Sequence, residues 1–260
     1  MNRCEVGQVW TLGRHRVACG DARDAALVGR LFGPECLRMV WTDPPYGISY
    51  AEKNEMLNLV GKGHRVQEPI AGDHAPPKQV EELVRSALTL AVQHSLSGAT
   101  CYVASPGGAM LTAFIRAFDA SGFDLKHTLV WVKNHTVLGR ADHHYQHENI
   151  LHGWRDGAHY WCGRRDQSSV FFVNKPHASD LHPTMKPVEL VAPMVANSSR
   201  LREVVYDPFL GSGTTLVACE HLLRRCFGCE LEPHYAEVTV ERWERLTGCR
   251  AALEVGGGAG

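Results

Sequence analysis

Short apolar runs rich in β-branched residues alternate along this chain with segments whose apolar residues recur at helical spacing. Continuous runs such as LRMVWT at 37–42 are typical of strands buried on both faces of a parallel sheet. The helical segments between them supply the crossovers that parallel pairing needs. The alternation therefore predicts a doubly wound α/β sheet. The predicted strands are 16–19, 37–42, 99–104, 125–132, 149–153, 170–173, 204–206 and 225–230, and the predicted helices are 24–32, 78–96, 109–120, 187–197, 214–223 and 233–246.

The length of the chain, 260 residues, is enough for one large α/β core, and we expect a single domain over residues 1–250. Two polar stretches, 47–77 and 133–181, are longer than ordinary connections and are typical of binding loops or lids. The glycine-rich end, 251–260, is expected to form a flexible tail.

Charge and composition exclude several classes of protein. The formal net charge of −1 excludes a globally basic nucleic-acid coat but allows a local basic face. No run approaches the ~18 apolar residues that span a bilayer, and the first residues lack the apolar core of an export signal. With nine scattered cysteines and no export signal, we expect a cytoplasmic protein with reduced thiols and no metal site.

The tetrapeptide Asp43-Pro44-Pro45-Tyr46 directly follows the predicted strand 37–42. Ligands of open α/β sheets bind at the carboxyl ends of strands, so the tetrapeptide is well placed for a site. Consecutive prolines fix the backbone and leave the Pro44 carbonyl free to accept a hydrogen bond. With Asp43 as a second acceptor and Tyr46 as a flat face, the motif suits a planar amino group such as adenine N6 or cytosine N4. A simple strand-to-loop turn explains the tetrapeptide alone equally well.

The sequence VVYDPFLGSGTT at 204–215 predicts a strand, a glycine turn and the start of a helix. Glycines let the backbone approach a ligand closely, and the helix start offers free N–H groups. The turn lacks the lysine of the GxxxxGK[ST] phosphate loop, and Leu216 breaks the GxGxxG pattern. Asp207 would repel phosphate but pair with an amine, while Glu230, at the next strand tip, suits ribose hydroxyls. An amine and a ribose on one ligand indicate S-adenosylmethionine rather than NAD, and a purely structural turn is the alternative.

The sequence HPTMKP at 182–187 leads into the predicted helix 187–197, with Pro187 suitably placed at its start. His182, Thr184 and Lys186 offer polar groups on one side of an extended segment. Alone, this pattern is more typical of an ordinary helix entry. Its position shortly before the glycine turn favours a functional role.

Taken in this order, DPPY at 43–46, HPTMKP at 182–187 and DPFLGSGTT at 207–215 resemble the β-type, circularly permuted amino-methyltransferases of DNA. The resemblance extends from residue 20 to about residue 248. It implies the S-adenosylmethionine-dependent methyltransferase fold, a Rossmann-like seven-stranded, mostly parallel sheet with one antiparallel strand. It also implies methyl transfer from S-adenosylmethionine to N6 of a flipped-out adenine in double-stranded DNA. A place in restriction-modification and a stand-alone or phage-type enzyme both stay open. Members are often dimers, which implies a homodimer.

The resemblance assigns roles to individual residues. Asp43, Pro44, Pro45 and Tyr46 would hold the target base and carry catalysis. The cofactor would be bound by Asp21, Ala22, His182, Thr184, Lys186, Asp207, Phe209, Gly211, Ser212, Gly213, Thr214 and Glu230. Residues 131–134 and 147–148, which include Lys133, His147 and Glu148, resemble the family segment that faces DNA, and the stretches 47–77 and 133–181 would contact DNA. Arg140, Arg155, Arg164 and Arg165 are candidate phosphate or guanine contacts, and solvation of a loop explains them almost equally well.

Competing functions remain at this point. Asp43 favours adenine in the family, and cytosine-N4 methylation stays open. A C5-cytosine methyltransferase is disfavoured because its usual Pro-Cys dipeptide is absent. A non-catalytic nucleic-acid-binding regulator on the same fold is the alternative from another class, and the intact Asp43, Tyr46, Asp207 and Glu230 argue against it. Methylation of protein glutamine or of RNA is a third interpretation.

Overall fold

The computed structural model describes residues 3–47, 75–137, 142–174 and 185–254. Within these ranges the strands are β1 (Val9–Leu12), β2 (His15–Cys19), β3 (Leu37–Thr42), β4 (Ser95–Ser105), β5 (Phe123–Val137), β6 (Tyr145–Arg155), β7 (Val170–Phe172), β8 (Val204–Asp207), β9 (Arg225–Glu230) and β10 (Ala252–Leu253). The helices are α1 (Ala25–Phe32), α2 (Pro77–Gln93), α3 (Ala109–Asp119), α4 (Val188–Ser198), α5 (Thr214–His221) and α6 (Pro233–Thr247). None of these helices is both long enough and apolar enough to cross a membrane.

All strands in the described ranges form one sheet, in the order β10-β1-β2-β9-β8-β3-β4-β6-β5-β7. The expected seven-stranded sheet is its contiguous centre, β2-β9-β8-β3-β4-β6-β5, in which β6 alone is antiparallel to its neighbours. The count of seven is nevertheless wrong, because ten strands are present in the described residues. The additions are at the edges: β1 and β10 beside β2, and β7 beside β5. Since β1 is antiparallel to β2, the sheet has two reversed strands rather than one.

The end of the chain is ordered further than we expected. Ala252 pairs with Thr11 in β1, and the Glu254 N–H donates to the Val9 carbonyl at 2.8 Å. The Glu254 carboxylate accepts from Arg16 Nε at 2.7 Å and Nη2 at 2.5 Å. A flexible tail over 251–260 is therefore wrong for residues 251–254, and residues 255–260 lie outside the described part.

The polar stretch 133–181, expected as an insertion, is partly regular structure. Its residues 133–137 continue β5, and β6 occupies Tyr145–Arg155, so the two strands form a long antiparallel hairpin. Arg155, a candidate DNA contact, instead donates to the carbonyls of Val92 at 3.1 Å and Ser95 at 2.6 Å, where α2 gives way to β4. The loop 47–77 is described only at Gly47 and from Ala75 onward.

The core has two layers, one on each face of the sheet. Helices α1, α2 and α3 cover one face and α4, α5 and α6 cover the other. The chain leaves β8 through α5 toward β9, and it leaves β3 through α2 toward β4 on the opposite side. The adjacent tips of β3 and β8 are thus a topological switch point, where a crevice opens outside the carboxyl ends of the strands.

Candidate active site

A cavity of about 350 Å³ opens at this switch point. Of the residues predicted to bind base or cofactor, its lining contains Asp21, Ala22, Asp43, Pro44, Pro45, Tyr46, Lys186, Asp207, Phe209, Gly211, Ser212, Thr214 and Glu230. His182 and Thr184 lie outside the described residues. The three sequence motifs therefore meet at one cleft, although they are far apart along the chain.

The glycine turn after β8 is shaped by two glycines with left-handed backbone, Gly211 at φ 56° and Gly213 at φ 82°. Gly213 does not line the cavity. A Cβ at this position would lie 2.9 Å from the side chain of Thr239, whose hydroxyl donates to the Gly211 carbonyl at 2.8 Å. Gly213 therefore lets α6 pack closely against the turn, and the other turn residues form the cavity floor.

Asp207, at the end of β8, is 3% exposed and accepts three hydrogen bonds from the protein itself. Thr42 Oγ1 donates to Oδ1 at 2.8 Å, Thr215 Oγ1 to Oδ2 at 2.5 Å, and the Phe209 N–H to Oδ1 at 3.1 Å. Burial raises the pKa of Asp207 to about 6, and the three hydrogen bonds limit this rise because they favour the ionised carboxylate. The first effect of Asp207 is thus to tie β3, β8 and α5 together beneath the cavity, which leaves about one of its roughly four lone-pair sites for a ligand.

Glu230, at the tip of β9, holds the other side of the turn. The Gly211 N–H donates to Oε2 at 2.7 Å and the Glu232 N–H to Oε1 at 2.9 Å. Burial raises the pKa of Glu230 to about 7. Asp21 lies at the tip of the neighbouring strand β2, where Arg23 lowers its pKa through an ion pair at 2.6 Å.

This lining fits S-adenosylmethionine. Each oxygen of Glu230 accepts one hydrogen bond from the backbone of the described residues, so this fixed carboxylate can also accept from ribose hydroxyls. The Phe209 side chain supplies an apolar wall, and the volume is within the range of small-molecule pockets, roughly 300–1,000 Å³. Five carboxyl groups line the cavity, against the two cations Arg23 and Lys186, and this excess also favours a ligand that carries positive charge.

The tetrapeptide at 43–46 lines the same cavity as Glu230 and contacts a lysine. Lys186 Nζ contacts Asp43 Oδ2 at 2.5 Å and the Tyr46 hydroxyl at 3.3 Å, and it sits 5.2 Å from the centre of the Tyr46 ring. Burial raises the pKa of Asp43, while the ammonium of Lys186 opposes that rise. We expected Lys186 at the methionine end of the cofactor, but its ammonium points to the residues expected to hold the base.

Behind the tetrapeptide, two further charged residues complete a buried network. Glu148 accepts from Lys186 at 3.1 Å, from Lys133 at 2.6 Å and from the Tyr46 hydroxyl at 3.1 Å. Burial favours a neutral Glu148, but the two lysines together outweigh it and lower the pKa of Glu148 to about 2. Two carboxylates and two ammonium groups thus neutralise one another beside the cavity.

This network corrects two predicted DNA contacts. Lys133 is 5% exposed, and the Glu148 side chain is 15% exposed, so both are part of the buried network rather than of a DNA-facing surface. The sequence does indicate that Glu148 is paired, because it lies two residues before the buried strand residue Ile150, and a charged residue in such a position is rarely left unpaired. His147 lies on the same hairpin and contacts the Tyr145 ring edge-on.

The remaining predicted DNA contacts are distributed differently. Arg140 lies outside the described residues. Arg164 is exposed and pairs with Asp166 at 2.6 Å, and Arg165 is exposed. Both line a second cavity, which shares no lining residue with the first.

Comparison with known proteins agrees with this geometry. Residues 37–241 match the family model described as DNA methylase, of the N6/N4 class. Similar curated proteins include the type II methyltransferase M2.DpnII of Streptococcus pneumoniae, 24% identical over 240 residues (81% of this chain and 84% of that protein). Another is M2.LlaDCHI of Lactococcus lactis subsp. cremoris, 23% identical over 242 residues (80% and 82%).

Solved structures show the same fold. The M1.HpyAVI–SAM complex superposes with a TM-score of 0.62 at 19% identity, covering 87% of this chain and 97% of that chain. The cytosine-N4-specific PvuII DNA methyltransferase superposes with a TM-score of 0.70 at 13% identity, covering 95% and 94%.

Proposed function

The chain belongs to the DNA methylase family, and we propose that it transfers a methyl group from S-adenosylmethionine to the exocyclic N6 of an adenine flipped out of double-stranded DNA. The observation that carries the proposal is that Asp43 and Pro44 line the same cavity as Glu230 and the glycine turn. Acceptors for an amino group would thus share one cavity with the methyl donor. S-adenosylmethionine, when bound, supplies an electrophilic methyl group.

The task of the protein is to make a poor nucleophile attack. The lone pair of the adenine amino group is delocalised into the ring, so the nitrogen must become more tetrahedral before it reacts. Hydrogen bonds from its two N–H groups to the Asp43 carboxylate and the Pro44 carbonyl favour that shape. Lys186 fixes the Asp43 carboxylate through Oδ2. Positioning and preorganised charge of this kind can together supply several kcal/mol.

No base needs to act before the methyl group moves. The methylated amine is cationic and acidic, so it loses its proton afterwards, with the Asp43 carboxylate or water as the acceptor. The Lys133–Glu148–Lys186 network holds Asp43 and Tyr46 in place while charge develops.

Base flipping is part of the proposal because the amino group cannot be reached inside a duplex. Extrusion costs a few kcal/mol, and stacking on Tyr46 would offset part of it at about 1–3 kcal/mol. Tyr46 is 5% exposed, has Phe114 against its edge at 5.8 Å and has Lys186 over one face. Stacking therefore requires the base to enter against the other face or to displace the lysine.

The test is methylation of duplexes that carry adenine or cytosine in defined contexts, followed by mass spectrometry of the released nucleosides. We expect N6-methyladenine. Asp43→Ala should abolish turnover while S-adenosylmethionine binding stays within a small factor, and Asp124→Asn, at an exposed acid in β5, serves as the matched control. A wild-type rate in Asp43→Ala would contradict the role of Asp43.

Cytosine-N4 methylation is the second candidate, since one motif serves both amino groups and the similar PvuII enzyme is cytosine-N4-specific. Appearance of N4-methylcytosine alone would reject adenine. The names of the curated relatives also support a place in type II restriction-modification. The homodimer implied by the family resemblance stays a prediction.

A further inference from the structure

A second cavity, of about 600 Å³, lies over β4, β5 and β6 on the face that α4 covers. Its walls are aromatic and imidazole rings, and residues 156–169 close one side. It adjoins the first cavity. Trp41 lines the first, Tyr102 lines the second, and the two rings lie 6.2 Å apart between their centres.

The floor of the second cavity is a ladder of rings on neighbouring strands. Tyr102 stacks on His152 at 4.3 Å with an interplanar angle of 16°, and His152 faces His127 at 5.6 Å and 17°. Beside them, Trp154 stacks on His159 at 3.9 Å and 13°. A cavity lined by this many aromatic and imidazole rings favours a flat ligand, because each base–aromatic stack contributes about 1–3 kcal/mol.

Two ring nitrogens in this cavity lack partners. His152 Nε2 and His159 Nε2 are buried and make no hydrogen bond within the described residues. Unsatisfied buried polar atoms are uncommon and cost free energy, so they indicate groups that a ligand would satisfy. Burial lowers the pKa of both histidines, that of His152 to about 3, so both rings are neutral and can donate or accept according to tautomer.

The rim supplies positive charge. Arg165 is exposed and has no ion-pair partner among the residues that the structure describes, whereas Arg164 is already paired with Asp166. A cationic ligand is therefore disfavoured. A metal ion is disfavoured too, because no group of three His, Cys, Asp or Glu side chains in the described ranges is arranged to hold one.

We propose that the second cavity binds a nucleotide, with its base on the Trp154–His159 stack, its polar edge on the unpartnered imidazole nitrogens and its phosphate at Arg165. The choice of a nucleotide over other flat anions rests on the proposed function, since DNA approaches the neighbouring cavity. The nucleotide comes either from an unpaired position of the DNA strand or from free solution. Both sources present the same base and phosphate.

The test follows the histidine ring nitrogens by NMR in full-length protein labelled with ¹⁵N-histidine, with S-adenosylhomocysteine saturating the first cavity. Deoxyadenosine 5′-monophosphate should shift the Nε2 resonances of His152 and His159. Deoxyadenosine, which lacks the phosphate, should bind at least fivefold more weakly. Arg165→Gln should weaken the mononucleotide at least fivefold. Arg250→Gln, at an arginine 86% exposed elsewhere on the surface, should leave it unchanged.

Two duplexes distinguish the sources: one fully paired and one with a single unpaired adenine. If Arg165→Gln removes a preference for the unpaired duplex, the strand supplies the nucleotide. If only the mononucleotide responds to Arg165→Gln, the free nucleotide is the ligand. Unmoved His152 and His159 resonances with every probe, or equal losses in the two arginine variants, would overturn the proposal. Binding is read without methyl transfer, so an inactive enzyme that still binds would reject the proposed function alone.

Discussion

We predict that Glu230 lowers the free energy of unfolding of this protein above neutral pH, and that replacing Glu230 removes this loss. Burial raises its pKa from 4.5 to about 7. The folded protein therefore holds this proton more tightly than the unfolded chain does. The contribution of Glu230 to the free energy of unfolding is full below about pH 4.5 and is lost as the pH rises to about 7. For this shift, linkage gives a loss of about 2.5 kcal/mol between pH 5 and pH 8.

Glu230→Gln removes the titration but keeps an oxygen that can accept from the Gly211 or Glu232 N–H. We expect the free energy of unfolding of the variant, relative to wild type, to rise by about 2.5 kcal/mol from pH 5 to pH 8. Urea unfolding of the cofactor-free protein, followed by tryptophan fluorescence at several pH values, measures this difference. Asp207 adds its own slope, since its pKa is also raised, and its charge contributes to the raised pKa of Glu230, so the measured difference includes the interaction between the two carboxyls.

The matched control is Glu35→Gln. Glu35 pairs with Arg225 at 2.6 Å, and this arginine lowers its pKa, so it is ionised throughout the range from pH 5 to pH 8. Its replacement should change stability by the same amount at every pH tested. Calorimetric titration should also show S-adenosylmethionine binding to Glu230→Gln at least tenfold more weakly, because charge-assisted hydrogen bonds are the stronger ones. Parallel stability curves for wild type and Glu230→Gln would refute the reasoning.

Two further predictions concern the turn and the buried network. Gly213→Ala should lower the free energy of unfolding by more than about 1 kcal/mol, because φ at this position is +82° and the new methyl group would lie 2.9 Å from Thr239. Chemical denaturation tests this prediction, and an unchanged midpoint would contradict it. Lys186→Met should move the acidic limb of the single-turnover pH–rate profile to higher pH, because burial raises the pKa of Asp43 and the lysine opposes this rise. Lys133→Met is its control, since Lys133 contacts Glu148 and should leave that limb in place; equal movement in both variants would exclude a specific effect on Asp43.

The strands and helices with the strongest periodic patterns were predictable from sequence. Strands 37–42 and 225–230 match β3 and β9 at both ends. Strands β1 and β10 were missed because they are four and two residues long, and each depends on a neighbouring strand, β1 on β2 and the edge strand β10 on β1. Pairing between residues 10 and 253 leaves no local signature, since strand formation at an edge depends on the neighbour.

The residues of the first cavity were predictable as a set, but the partners of individual side chains were not. Asp43, Asp207 and Glu230 could be placed because each follows an apolar run, and strand tips of one sheet converge. The position of Lys186 depends on Glu148. The position of Glu148 is fixed in turn by the register of the β5–β6 hairpin, which places Trp131 opposite Glu148. That register shifts between Val132 and Val137, which spacing in the sequence does not reveal.

The two groups of acids around the first cavity are suited to different steps of one transfer. Beside the base, Asp43 and Glu148 are matched by two lysines, so this side is neutral before charge reaches it. On the side expected to bind the cofactor, Asp207 and Glu230 form no ion pair with a lysine or arginine of the described residues, and burial raises their pKa values to about 6 and about 7. A sulfonium ion bound there would lower both pKa values and draw the carboxylates into the ionised state. Loss of the methyl group leaves a neutral thioether and removes that stabilisation. The same burial that costs stability therefore lets the cavity hold the cationic donor more tightly than the spent one.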